Sequence, residues 1–176
     1  MKRILTSLIL SGVMAVAGNF TLTSSDIKGQ LTKMQEFKGF GCNGQNVSPK
    51  LSWRDAPKGT KSFAVTVYDP DAPTGSGWWH WVVVNIPANV TKLERGASEK
   101  AMPKGAVEVI NDYGIEGFGG ACPPKGDKPH RYIFTVYALN VPKLDITPKT
   151  KAPVAGFMIN AHTIGKASII SYYGRE

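Results

Sequence analysis

Long hydrophobic runs are rare in this sequence of 176 residues. The longest, residues 4–16, falls short of the roughly 20 residues that a membrane-spanning helix needs, and no later run comes close to that length. The sequence also has no internal repeat, no low-complexity tract and no interdomain linker. These absences argue against a membrane-spanning or multidomain protein. They predict one soluble domain, with 42% hydrophobic residues to fill its core.

Motifs that mark common enzymes and metal sites are also missing. There is no Gly-x-Ser-x-Gly nucleophile elbow, and Ser76 lies in a flexible Gly-Ser-Gly loop. His80 and His130 do not have the close helical spacing that would strengthen a metal-site prediction. We therefore predict no catalysis, no bound metal and no cofactor. A metal triad of two histidines and one carboxylate is the alternative.

The N-terminal run has the three parts of a secretory signal peptide. Met1-Lys2-Arg3 is a charged start, residues 4–16 are a short apolar stretch, and Ala15-Val16-Ala17 matches a small-residue cleavage site. We predict a cleaved signal peptide over residues 1–17 and a mature single domain over 18–176, in the periplasm or secreted. An uncleaved membrane anchor is the alternative, and no cysteine lies at the cleavage site to carry a lipid.

Acidic residues are outnumbered, 13 against 21 lysines and arginines, which gives a net charge of +8. Removing Lys2 and Arg3 with the signal peptide leaves 19 basic residues against 13 acidic ones, a net charge of +6. The lysines are scattered rather than clustered with aromatic residues, so the sequence does not predict nucleic-acid binding. A solvated basic surface explains most of them, and attraction to anionic headgroups or acidic partners is the alternative.

The sequence contains only two cysteines, and both lie in glycine-rich segments, residues 39–44 and 119–123. An exported protein meets an oxidising compartment, where two thiols pair rather than stay free. Glycines let the two loops approach closely enough for bridge geometry. We therefore predict a disulfide between Cys42 and Cys122, with two inert buried thiols as the alternative.

The coarse secondary-structure pattern is dominated by strands. Long strands are predicted at residues 62–68, 79–86 and 132–139, because these segments are apolar and rich in β-branched side chains. Shorter strands are predicted at residues 20–23, 50–53, 107–110 and 167–172. Turn clusters separate these segments. The spacing predicts a mainly β fold, an antiparallel sandwich.

One helix is predicted near residues 153–164. Pro153 suits a first helical turn, and Gly165 is predicted to end the helix. His162 lies on this helix and is predicted to be structural or exposed. The apolar residues whose helical spacing supports this prediction are Val154, Phe157, Met158, Ala161 and Ile164.

Two segments about fifty residues apart combine stiff loops with ionisable groups. Asp69 directly follows one predicted strand and His80 begins the next, while His130 and Tyr132 begin a third. If these strand ends meet at one rim, the aspartate can hydrogen-bond to a histidine and favour its charged form. That charged histidine and a tyrosine hydroxyl would make a compact site for phosphate or a similar anion. Each feature taken alone is better explained as ordinary architecture, whereas the features taken together favour a binding site.

The motifs in these segments resemble the phosphatidylethanolamine-binding protein (PEBP) family, also called Raf kinase inhibitor-like proteins. The resemblance rests on Asp69-Pro70-Asp71-Ala72-Pro73, on Gly77-Trp78-Trp79-His80, and on residues 119–126 followed by His130-Arg131-Tyr132. Over nearly the whole mature chain the sequence resembles the bacterial YbhB/YbcL branch. The predicted signal peptide and cysteine pair favour its exported YbcL-like type over the cytosolic YbhB-like type.

The resemblance implies a sandwich of two antiparallel sheets with a few short helices. It also implies a pocket at one end that takes phosphate, acetate, cacodylate or a phosphoethanolamine headgroup. The residues implied to bind ligand are Asp69, His80, His130 and Tyr132, and those implied to shape the pocket are Asp71, Trp78 and Pro123. The loop at residues 74–77 is shorter than in animal relatives, so we expect a more open pocket and do not transfer their kinase regulation.

We therefore expect a non-catalytic binding protein for phosphate or a phosphorylated headgroup, in which His80 and His130 donate hydrogen bonds to phosphate oxygens. The alternative is a protein-interaction module that inhibits or signals to another protein. Exposed sheet edges and an apolar-aromatic patch expected near Trp78 and Trp81 are compatible with a homodimer.

Overall fold

A computed structural model describes residues 19–176 and contains ten strands and one helix in that range. The predicted signal peptide, residues 1–17, lies outside the described residues. The elements are β1 (Thr21–Thr23), β2 (Lys38–Gly39), β3 (Cys42–Asn43), β4 (Leu51–Arg54), β5 (Ser62–Asp69), β6 (Trp78–Pro87), β7 (Lys92–Leu93), β8 (Val107–Glu108), β9 (His130–Leu139), α1 (Ala152–His162) and β10 (Thr163–Tyr173).

The strands form two antiparallel sheets and a short ribbon. The larger sheet has five strands in the order β10-β9-β5-β6-β8, and the smaller has three in the order β1-β4-β7. The ribbon pairs β2 with β3. Leu51 and Trp53 of the smaller sheet pack with Phe63, Trp81 and Phe134 of the larger one in a single buried cluster. The prediction of a mainly β antiparallel sandwich is therefore confirmed.

The central strands are covered on both faces, which explains why they are almost continuously apolar. In β5, Phe63 and Val65 face the smaller sheet, whereas Ala64 belongs to a second buried cluster on the opposite face. This second cluster includes Leu144 and Ile159 of the segment that carries α1. Seven of the eight residues of β5 are buried, so this strand anchors the end of the sheet where Asp69 lies.

Helix α1 is present, but the predicted stop at Gly165 is wrong, and most of the apolar residues at helical spacing are exposed rather than buried. Val154 and Phe157 are 52% and 75% exposed, while the buried positions are Ala152, Ala155, Gly156 and Ile159. Small residues face the sheet because the helix approaches it closely, and a Cβ at Gly156 would lie 3.3 Å from the Trp79 ring. Gly165 lies inside β10, where a Cβ would come within 2.6 Å of Pro57, so its small size serves packing rather than helix termination.

Trp81 does not contribute to the apolar-aromatic surface patch expected near Trp78 and Trp81. Trp81 is fully buried between the sheets, and its Nε1 donates a hydrogen bond of 2.6 Å to Glu108 Oε1. Trp78 is half-buried at the start of β6. Among residues 19–176, no helix is long and apolar enough to cross a membrane.

Candidate anion-binding site

Three adjacent strands of the larger sheet bring the predicted site residues to one edge. Strand β5 ends at Asp69, β6 begins at Trp78 and β9 begins at His130, and β5 lies between the other two. Because both pairings are antiparallel, the end of β5 lies beside the starts of its neighbours, with Asp69 paired to Trp78 in register. The three strand ends therefore meet as the sequence predicts.

A cavity of about 150 Å³ lies at this edge. Of the seven site residues that the resemblance implies, six line it and Asp71 does not. The lining residues are Phe40, Asp69, Ala72, Pro73, Thr74, Trp78, His80, Tyr113, Cys122, Pro123, Pro124, His130 and Tyr132.

Asp71 supports the cavity from outside. Its carboxylate accepts hydrogen bonds of 2.9 and 2.7 Å from Arg131 Nε and Nη2, and this pairing holds its pKa below the usual range. Its backbone N–H donates to Asp69 Oδ1 at 2.8 Å. Asp71 thus fixes the turn that follows β5 and the orientation of the Asp69 carboxylate, while its own side chain points to Arg131.

His130 is held between two carboxylates. Its Nδ1 lies 2.8 Å from Asp69 Oδ2 and its Nε2 lies 3.1 Å from Asp127 Oδ2. Burial alone would lower the pKa of His130, but the hydrogen bonds to Asp69 and Asp127 outweigh it and raise that pKa. Both ring nitrogens therefore donate to protein carboxylates, and the imidazolium supplies charge rather than a free donor. Sequence reasoning missed Asp127, although it lies only three residues before His130.

His80 has the opposite character. Its Nδ1 lies 2.8 Å from the Gly119 carbonyl oxygen and 3.1 Å from that of Gly120, so this nitrogen carries the hydrogen, because a carbonyl oxygen only accepts. Burial lowers the pKa of His80 to about 4. The neutral ring therefore presents a bare Nε2 lone pair, which is buried and has no hydrogen-bond partner within residues 19–176. This differs from the expectation that His80 donates to an anion.

Two more buried polar atoms on cavity residues lack partners among the described residues, the Tyr132 hydroxyl and Trp78 Nε1. Tyr132 is 1% exposed, and burial raises the pKa of its hydroxyl, which stays protonated. The rings of Tyr132 and His80 meet edge to face with centroids 5.1 Å apart. An acceptor on His80, a donor on Trp78 and a hydroxyl that does both are thus available on the cavity walls.

Tyr113 forms an aromatic wall that sequence reasoning missed. Its ring stacks on Phe37 with centroids 4.0 Å apart and meets Trp78 and His80 edge to face at 5.2 and 5.5 Å. Its hydroxyl donates to the Gly120 carbonyl oxygen at 3.0 Å. Tyr113 lies in the turn-like sequence Asn111-Asp112-Tyr113-Gly114, and nothing in this local pattern indicates that the segment folds over the site.

The far wall is held by the disulfide and the C-terminus. Cys42 and Cys122 are bridged, with Cα atoms 5.9 Å apart, as the sequence predicts. Arg175 donates from Nε to the Pro123 carbonyl oxygen at 2.7 Å and from Nη1 to the Gly41 carbonyl oxygen at 2.9 Å. One guanidinium thus fastens both cysteine-bearing loops at the cavity mouth.

The histidines and carboxylates at this edge are not arranged as a metal site. Among the described residues, no set of three histidine, cysteine, aspartate or glutamate side chains is placed to hold a metal ion. In the candidate triad, His130 Nδ1 bonds to Asp69 Oδ2, whereas His80 Nδ1 bonds to the backbone carbonyl oxygens of Gly119 and Gly120.

Comparison with known proteins gives a consistent result. The family model described as "Phosphatidylethanolamine-binding protein" matches residues 24–174. The chain is 52% identical to UPF0098 protein YbcL of Escherichia coli K12, over 98% of both chains. It is 47% identical to YbhB of the same strain, over 86% of this chain and 98% of YbhB.

Solved structures agree with the sequence comparisons. The crystal structure of E. coli YbcL, described as a member of the mammalian PEBP family, superposes with a TM-score of 0.88 at 54% identity, over 89% of this chain and 99% of that one. The homolog CT736 of Chlamydia trachomatis gives a TM-score of 0.74 at 31% identity, over 89% and 98% of the two chains. With these similarities, this chain belongs to the phosphatidylethanolamine-binding protein family.

Proposed function

We propose that this protein is an exported, non-catalytic binding protein whose cavity holds a phosphate-type anion or a phosphorylated headgroup such as phosphoethanolamine. The observation that supports the proposal most is the group of three buried polar atoms, on His80, Tyr132 and Trp78, that lack partners within the described part of the chain. A buried polar group without a partner costs about 1–3 kcal/mol. A small polar ligand in the cavity removes that cost.

The chemistry of the walls suits both ends of phosphoethanolamine. Phosphate oxygens accept from the Tyr132 hydroxyl and Trp78 Nε1, with the His130 imidazolium nearby. The ammonium group suits the Asp69 carboxylate and the aromatic faces of Tyr113 and Phe40, since aromatic rings attract cations. The volume of about 150 Å³ accommodates one small headgroup but not the acyl chains of a lipid.

The same geometry supports binding rather than catalysis. His130 already donates from both ring nitrogens to Asp69 and Asp127, so it has no free position for accepting a substrate proton. Cys122 lines the cavity but is bridged to Cys42 and is not a nucleophile. The predicted signal peptide and this disulfide together support export to the periplasm or beyond.

The second candidate, a protein-interaction module, is favoured by one observation. Phe40 is 71% exposed at the cavity mouth and has a left-handed backbone conformation, with φ of 52°. An exposed aromatic residue on a loop fixed by a disulfide is a typical anchor for a partner protein. In this alternative the cavity rim, rather than its interior, is used.

Isothermal titration with phosphoethanolamine near pH 6 tests the proposal, comparing wild type with Tyr132→Phe and Tyr172→Phe. Tyr132→Phe removes one buried donor and is expected to weaken binding about tenfold, since one hydrogen bond contributes about 1 kcal/mol or slightly more. Tyr172 is exposed, and its substitution is the matched control with no expected effect. Absence of saturable binding to wild type would move the assignment to the protein-interaction candidate.

A further inference from the structure

The hydrogen-bond polarity of the cavity restricts which phosphate fits it. The groups that face the His80 ring are the Gly119 and Gly120 carbonyl oxygens, the edge contacts of Tyr113 and Tyr132, and the charges of Asp69 and His130. The two carbonyls fix the hydrogen on Nδ1. The only lone pair that this ring offers the cavity is therefore on Nε2, and it accepts a hydrogen but cannot donate one.

The charges near the cavity balance one another, so hydrogen-bond polarity decides which phosphate fits. Asp69 and Asp127 enclose the His130 imidazolium, and the Arg175 guanidinium lies at the cavity mouth. Asp71 and Arg131 form an ion pair outside the cavity. A dianion would place an oxygen lone pair against the lone pair of His80 Nε2. A ligand that brings a hydrogen avoids this penalty.

We infer that the cavity selects a phosphate that carries an ionisable P–OH group, as in a phosphomonoester or inorganic phosphate, over a phosphodiester. The inference rests on the proposed function and names the ligand class of the same site. In the bound state, the P–OH hydrogen bonds to His80 Nε2. The remaining phosphate oxygens accept from the Tyr132 hydroxyl and Trp78 Nε1, so a single phosphate supplies partners for all three buried atoms.

The hydrogen bond to His80 Nε2 uses only the proton that the ligand itself brings, and no other reactant is needed. The P–OH proton either stays on oxygen and is shared with Nε2, or it moves to Nε2 and leaves an imidazolium beside a phosphate dianion. A phosphomonoester loses its second proton near pH 6, so about half carries this hydrogen at that pH and about one hundredth at pH 8. A phosphodiester has no such hydrogen at either pH, and it leaves Nε2 unsatisfied.

Calorimetric titration of the wild-type protein with three ligands tests the inference. The ligands are phosphoethanolamine, inorganic phosphate and glycerophosphoethanolamine, a diester with the same amine. At pH 6 we expect both ionisable phosphates to bind at least tenfold more tightly than the diester, the effect of one unsatisfied buried acceptor. From pH 6 to pH 8 the preference for the monoester over the diester should fall roughly fifty-fold, following the protonated fraction.

A pair of variants locates the effect at one atom. His80→Asn keeps a donor for the Gly119 carbonyl but removes Nε2, and it should reduce the preference for the monoester to less than about threefold. His162→Asn changes a histidine on α1 whose Nδ1 lies near Asn140, and it should leave the preference unchanged. If His80→Asn fails to fold, the ligand comparison on wild type still decides the question.

The outcomes separate the inference from the proposed function. Monoester and diester binding within about twofold of each other at pH 6, or a preference that is the same at pH 6 and pH 8, would overturn the inference and leave headgroup binding intact. No saturable binding of any of the three ligands would overturn both. Binding of inorganic phosphate and phosphoethanolamine with equal affinity would support the P–OH requirement and assign no role to the amine.

Discussion

The neutral, buried state of His80 makes a specific prediction about acid stability. The pKa of His80 falls from 6.5 to about 4 on folding because the ring is buried. The unfolded chain therefore binds a proton that the native protein excludes, and stability is lost as the pH falls from about 6.5 towards 4. Uptake of one proton on unfolding changes the unfolding equilibrium constant about tenfold per pH unit. Protonation of His80 should therefore lower the unfolding free energy by roughly 2 to 3 kcal/mol between pH 7.5 and pH 4.5.

The assay is urea denaturation of the oxidised protein at pH 7.5 and pH 4.5, for wild type, His80→Asn and His162→Asn. Carboxylates such as Asp26, whose pKa the Arg95 pairing lowers to about 2, also change stability in acid. Their effects cancel when the pH dependence of the variant is subtracted from that of wild type. We expect wild type and His162→Asn to lose roughly 2 to 3 kcal/mol more than His80→Asn. Equal losses in all three proteins would refute a buried, neutral His80.

Three further predictions concern the walls of the cavity. Asp127→Asn removes one of the carboxylates that raise the pKa of His130, so histidine NMR titration should give a lower pKa, while the exposed Asp145→Asn should leave it unchanged. Reducing the disulfide, which closes a loop of 80 residues, should lower the unfolding free energy by about 4 kcal/mol in urea melts; an unchanged midpoint would contradict this. Gly120→Ala places a Cβ 2.1 Å from the Gln35 carbonyl oxygen, so thermal melts should reveal destabilisation on the order of 2 kcal/mol, with weaker phosphoethanolamine binding.

Strand positions follow from the sequence because a strand buried on both faces leaves a plain pattern. The continuous apolar and β-branched runs of β5, β6 and β9 predict buried strands. The polar residues at the ends of these runs mark the edge of the sheet where Asp69, His80 and His130 meet. The helix face was less predictable. Periodicity selects Val154 and Phe157, whereas close packing against Trp79 requires the small Gly156.

The hydrogen-bond state of each histidine could not be predicted, because all of its partners except Asp127 are distant in the chain. His80 is neutral because burial lowers its pKa to about 4, and the Gly119 and Gly120 carbonyls, 39 and 40 residues along the chain, fix its tautomer. His130 is cationic because Asp69 and Asp127 enclose it. In the sequence, both histidines begin predicted strands and look alike. Only their tertiary contacts make His80 a hydrogen-bond acceptor and His130 a positive charge.

The central claim, that this cavity holds a phosphorylated headgroup, is tested most directly by a crystal structure of the oxidised protein grown with saturating phosphoethanolamine near pH 6. The account predicts a phosphate inside the cavity, with one oxygen within hydrogen-bond distance of His80 Nε2 and another within that distance of Tyr132 Oη. Ligand density elsewhere on the surface, or a cavity that contains no phosphate under these conditions, would contradict it.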